Sequence, residues 1–139
     1  MTEISRIDLW QVLDSRGNPT VAARVHIGSH HAVAIAPSGA STGSHEALFL
    51  RDGGNSYNGL SVNNAITKFT REVSPSLLGI AGNDFSELDR ALRTVDPTPT
   101  QSRFGGHIPV AISIATWLAY SKRAGIPPFR SEEHTSELQ

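Results

Sequence analysis

No cysteine occurs in the 139 residues, so the chain has neither a disulfide frame nor thiolate chemistry. That absence suits a reducing compartment, and a cytoplasmic location is the expectation. Charge of one sign is missing too: 12 Lys and Arg face 13 Asp and Glu, for a formal net charge of −1. So balanced a chain argues against a nucleic-acid partner. No apolar run is long enough to span a membrane, and the opening MTEISRIDLW lacks the apolar core of a signal peptide. Aromatic residues are scarce at 6%, yet a hydrophobic fraction of 38% at this length still supports one packed domain. No internal repeat is visible.

What the chain does have, at 34–52, is AIAPSGASTGSHEALFLRD. From Ser38 to Ser44 no side chain is larger than threonine, and then His45 and Glu46 stand side by side. Seven consecutive small side chains build no core. They do let backbone N–H and C=O groups come close to a ligand.

The last ten residues, RSEEHTSELQ, back-translate to AGA TCG GAA GAG CAC ACG TCT GAA CTC CAG, which resembles a common sequencing adapter read in frame. The alternative is a native polar tail in which Ser131 caps a short helix. The adapter reading sets 130–139 aside as artefact. It makes 1–129 one native domain of a truncated gene product. Removing the tail's one basic and three acidic residues from 12 and 13 leaves a net charge of +1.

Alternation in the first third predicts strands over 4–13, 20–28 and 31–36. Ile7, Leu9, Gln11 and Leu13 share one face of the first, Val21, Ala23, Val25 and Ile27 one face of the second, and Val33 with Ile35 one face of the third. DSRGNP at 14–19 and GSHH at 28–31 are turn-forming connections, short enough to make an antiparallel meander. Helical spacing then takes over. Val62, Ala65, Ile66, Phe69 and Val73 follow a candidate cap at Ser61. Asp84 and Glu87 open a second helix carrying Phe85, Leu88, Leu92 and Val95. Val110, Ile114, Trp117 and Leu118 mark a third, which follows Pro109 and stops at Gly125 with Pro127 beyond. The expected fold class is α+β, a three-stranded antiparallel meander followed by a helical layer.

LDSRGNPTV at 13–21 and PSGASTGSHEALFLRDG at 37–53 together resemble the N-terminal domain of the enolases. SRFGG at 102–106 looks like a weakened form of that family's next motif, and the resemblance runs over about 4–129. It implies a two-domain phosphopyruvate hydratase, which interconverts 2-phosphoglycerate and phosphoenolpyruvate in glycolysis with Mg²⁺. In that family a C-terminal β/α barrel, absent from this sequence, carries the general acid, the general base and the acidic metal ligands. On the resemblance this chain holds no catalytic residue and is inactive alone. Ser38, Gly39, Ala40, Ser41 and Thr42 correspond to the substrate-covering lid. Ser41 stands where the family supplies the second Mg²⁺ with a carbonyl and a hydroxyl oxygen. Freezing five such residues costs about 5–10 kcal/mol of backbone entropy, comparable to the roughly 8 kcal/mol of a micromolar ligand. Closure is therefore expected only with metal and phosphate bound.

Taken alone, a Ser/Gly run reads as a plain flexible connection, and only the wider match favours a lid. His45 and Glu46 diverge on a helix and read as helix-start residues rather than joint catalysts. His30 and His31 read as a solvated loop, Trp10 and Trp117 as apolar bulk, and Asp14 and Arg16 as turn-holding groups. Enolases usually carry Arg where Trp10 stands and Glu where Ala22 stands, charges that pair across the family's homodimer interface. FGGHIP at 104–109 replaces the family's LGANAI, with His107 in place of Asn, and Phe49 sits where an acid is common. Three parent proteins fit: a Mg²⁺-dependent phosphopyruvate hydratase, a superfamily dehydratase of another acid, or a non-catalytic interaction protein. An exposed Trp10 on a sheet edge would point to the last.

Overall fold

A computed structural model describes residues 2–37, 51–95 and 105–127. Three antiparallel strands come first: β1 (Ile4–Leu13), β2 (Pro19–Ile27) and β3 (His30–Ile35), in sheet order β1-β2-β3. A short 3₁₀ turn at Ser56–Gly59 leads to α1 (Asn63–Glu72), α2 (Ser74–Leu77), α3 (Phe85–Val95) and α4 (His107–Ala124). The expected α+β arrangement is the observed one, and the described residues form no β/α barrel.

The β1–β2 turn is built by Asp14. Its Oδ1 accepts the backbone N–H groups of Arg16 at 2.8 Å and Asn18 at 2.9 Å, while Gly17 takes φ +77°. Asp14 therefore holds the turn, as its sequence context predicts. Near the start of β1 the register slips between Ile4 and Arg6, where Ser5 is the extra residue. The bulge lets Ile4 and Ile7, three apart, both enter the core. The backbone around Ile4 is tied to the segment before α3: Ile4 N–H donates to Ile80 O and Gly79 N–H to Ile4 O, each at 2.8 Å.

β2 buries Val21, Ala23, Val25 and Ile27, the predicted face. β3 is turned over relative to its prediction. Ala32 and Ala34 are buried, whereas Val33 and Ile35 are 41% and 53% exposed. The register pairs Val25 with Ala32 and Ala23 with Ala34, which places the alanines on the helix side. α4 lies across β2 and β3 there, and methyl groups allow the close approach.

α4 is likewise rotated from its predicted stripe. Ile108, Ala111, Ile112, Ala115 and Ala119 are buried, while Val110 is 43% exposed and Ile114, Trp117 and Leu118 are half-buried. The helix is apolar nearly all round, so the bulky residues misled the periodicity. It begins at His107 rather than after Pro109, and ends as expected at Gly125, whose φ of +69° lets Ile126 N–H reach Ser121 O at 2.9 Å.

Asp84 caps α3 as expected, with Glu87 N–H donating to its Oδ1 at 3.0 Å. Ser61 does not cap α1. Its hydroxyl instead donates to Gln11 Oε1, which also takes the Val62 N–H, and the Asn64 N–H goes to Asp52 Oδ1 at 2.9 Å. Two residues distant in sequence thus satisfy the open end of α1. Phe69 from α1 is fully enclosed and anchors the layer between sheet and helices.

Candidate functional site

Five site residues expected from the sequence, Ser38, Gly39, Ala40, Ser41 and Thr42, lie outside the described residues, as do His45, Glu46 and the tail 130–139. What the structure describes is the frame from which segment 38–50 departs and to which it returns. At the departing end, Ala36 N–H donates to Val21 O and the buried Thr20 hydroxyl donates to Ala36 O, both at 2.9 Å. At the returning end, Arg51 Nη1 donates to Pro19 O and Leu60 O. Asp52 N–H then donates to Ser61 O at 2.8 Å, and Gly53 N–H to Gly59 O at 3.1 Å. The two ends are therefore fastened to neighbouring residues, Thr20 and Pro19, at the start of β2.

An open cleft of about 520 Å³ lies beside the departing end, walled by Leu13, Ile35 and Pro37 with Asp14 and Arg16 on its rim. Leu13 and Ile35 are 51% and 53% exposed, among the most exposed large apolar side chains of the fold. Asp14 is occupied by the turn's N–H groups, whereas the Arg16 side chain is exposed at the cleft.

Electrostatics concentrate at the returning end. Burial holds the Arg51 guanidinium below its ordinary value, and the Asp14 carboxylate works in the opposite sense. His107, the first residue of α4, is pushed down to about 4 by burial and secondarily by the charge of Arg51. The imidazole is therefore neutral at pH 7, and Arg51 keeps its charge without a second cation beside it. Sequence reasoning missed both residues as partners. The available signal was position: Arg51 directly follows the long 37–50 motif, and His107 is the Asn replacement already visible in FGGHIP.

On the sheet face away from α4, Trp10 pairs in register with Ala22, and the Arg24 guanidinium lies 5.3 Å from the Trp10 ring centre. Trp10 is half-buried by this arrangement, not a projecting anchor on the edge. His31 lies 5.2 Å from the His26 ring, and His26 Nε2 is 3.6 Å from Asp8 Oδ2. Among the described residues no group of three or more His, Asp or Glu is arranged to hold a metal ion. Among them, too, no helix is long and apolar enough to cross a membrane.

A three-stranded meander followed by a helical layer, with the residues flanking segment 38–50 both bonded to the start of β2, defines an α+β domain. The sequence matches the family described as Enolase, N-terminal domain, over residues 4–131, and the chain belongs to that family.

Proposed function

We propose that this chain is the lid-bearing domain of a phosphopyruvate hydratase, acting with a β/α barrel in the reversible dehydration of 2-phosphoglycerate to phosphoenolpyruvate. The observation that carries the reading is the fastening of 38–50 at both ends to Pro19 and Thr20 beside an open cleft. Flanks fixed to adjacent residues of one strand bring the start and end of that segment together, as a substrate-covering segment needs.

In this proposal residues 38–42 cover the substrate, and Ser41 offers hard oxygens of the type Mg²⁺ prefers. In the same reading the remaining metal ligands belong to the barrel. Bound Mg²⁺ supplies charge stabilisation of the ene-diolate, as at enolase-superfamily sites. In the same reading the general acid and the general base belong to the barrel as well. The chain alone is therefore expected to be silent, and a cytoplasmic, homodimeric parent is part of the same reading. The half-buried Trp10 gives no support to a non-catalytic interaction protein.

The test is a chimera in which residues 1–129 replace the N-terminal domain of an active enolase. Turnover is followed by the ultraviolet absorbance of the enol product. The chimera should dehydrate 2-phosphoglycerate, and Ser41→Ala should raise the Mg²⁺ concentration needed while leaving the melting temperature in place. A folded chimera without turnover refutes the reading, as does turnover by the isolated chain above a metal-only blank.

A further inference from the structure

We propose that Asn58 is a site of spontaneous covalent modification, at which the chain's own backbone converts the carboxamide to aspartate and isoaspartate with water as the co-reactant. The inference stands apart from the lid reading, since it uses only the loop between Asp52 and α1.

The asparagines of the chain are at 18, 55, 58, 63, 64 and 83, and Asn58 alone is followed by glycine. Glycine has no Cβ, so nothing on that residue obstructs the approach of its backbone nitrogen to the preceding side chain. The other positions are disfavoured for separate reasons. Asn18 precedes Pro19, whose nitrogen carries no hydrogen to lose. Asn55 precedes a serine, and Asn63 and Asn64 are fixed in α1. After Asn83, the Asp84 N–H is donated to Ala81 O at 3.0 Å.

The fold leaves Asn58 open. No residue of the 3₁₀ turn Ser56–Gly59 is buried, and among the described residues the exposed Asn58 carboxamide has no hydrogen-bond partner. Tyr57 and Asn58 both stand in the left-handed region, at φ of +50° and +55°, which is costly for a side chain as large as tyrosine. The turn is tied to the preceding segment by Gly53 N–H, which donates to Gly59 O at 3.1 Å, and by Arg51, which donates to Leu60 O. A strained turn without a buried anchor opens locally at low cost, and opening brings the Gly59 nitrogen within reach of Asn58 Cγ. The neighbouring Asp52–Gly53 pair is held more closely: Asp52 Oδ1 accepts the Asn64 N–H at 2.9 Å, and the Gly53 N–H is engaged.

The Gly59 nitrogen gives its proton to solvent base and bonds to Asn58 Cγ. The carboxamide C–N bond breaks and ammonia leaves, so a cyclic succinimide forms with no change of oxidation state. Water then opens the ring. Breaking the ring nitrogen's bond to Cγ gives aspartate; breaking its bond to the main-chain carbonyl carbon gives isoaspartate. Either product adds a negative charge. Isoaspartate also runs the main chain through Cβ and Cγ, which displaces Gly59 O from Gly53 and Leu60 O from Arg51.

The test holds the full chain at mildly alkaline pH beside a synthetic SYNGLSV peptide (56–62), until the peptide is half converted. Peptide mapping by mass spectrometry then assigns each modified residue. Asn58 of the folded chain should convert within about tenfold of the peptide's rate, and about tenfold or more faster than the other asparagines. Asn58→Gln, whose longer side chain would have to close a larger ring, should form no acidic species at 58 and keep the melting temperature. In the converted chain the Gly53 amide should exchange about tenfold faster or more, while Val25 and Ile112 keep their protection. An intact Asn58 beside a converted peptide overturns the proposal, because the fold then shields the site. Conversion led by Asp52 or Asn83 overturns it as well. Full conversion with unchanged exchange at Gly53 overturns the coupling of the modification to the loop.

Discussion

Replacing His107 with Asn should remove a specific part of the acid sensitivity of this fold. The imidazole is pushed down to about 4 by burial first and by Arg51 second, against an ordinary value near 6.5. A histidine whose folded value is depressed stabilises the fold fully above about pH 6.5. That contribution is lost as the pH falls through the window from about 6.5 to about 4, because the unfolded chain takes up the proton first. At about 1.4 kcal/mol per pH unit the gap would be worth about 3 kcal/mol, but the ring is only half-buried. Solvent screening brings the expectation to about 1–2 kcal/mol. Asn has no proton to gain in this range, so His107→Asn should be about 1–2 kcal/mol less sensitive to acid than the wild type. Urea unfolding followed by tryptophan fluorescence at pH 7.5 and pH 4.5 measures this directly. With a urea slope of about 2 kcal/mol per molar, the difference is a midpoint shift of about 0.5–1 M. Carboxylates and the other histidines titrate in both proteins and cancel in the comparison. Equal losses of stability in the two proteins between these pH values would refute the electrostatic argument.

Other perturbations follow from the packing. A Cβ at Gly82 would stand 2.5 Å from Ile27 Cδ1 and 2.9 Å from Thr2 O, so Gly82→Ala must displace the N-terminal backbone. The cost should be about 1–3 kcal/mol, read as a melting temperature lower by several degrees; an unchanged melt contradicts it. Thr20→Val keeps the shape of a fully buried side chain but removes the donor to Ala36 O. It should cost about 1–2 kcal/mol in urea unfolding, and a neutral result would mean that the hydroxyl contributes nothing at the departing end. Deleting 131–139 should change stability by no more than about 0.5 kcal/mol; a loss of several kcal/mol would mark that segment as native structure.

Features governed by neighbouring residues were legible in the sequence. Asp14 satisfies N–H groups two and four residues away, Asp84 one three residues away, and Gly125 takes the left-handed conformation closing α4. Alternation placed the three strands to within a residue or so, and the long motifs at 13–21 and 37–53 pointed to the family that the match over 4–131 shows. Such signals are local because the hydrogen bonds they describe close over a few residues.

The orientation of β3 and of α4 was not local. AVAIA at 32–36 alternates between alanine and larger residues, and size suggested that Val33 and Ile35 faced inward. Only the register with β2 and the closeness of α4 gave the inner face to Ala32 and Ala34 and turned Ala111, Ala115 and Ala119 toward the sheet. The same holds for capping and for the frame of the candidate site. Gln11 and Asp52, not Ser61, satisfy the start of α1, and Arg51 reaches a carbonyl 32 residues away. Sequence by itself determined which segments become strands, turns and helices, because local backbone preference and periodicity act over a few residues. Which faces meet, and which buried donor finds which distant carbonyl, tertiary packing alone decided, because those choices depend on the shape left between elements already formed.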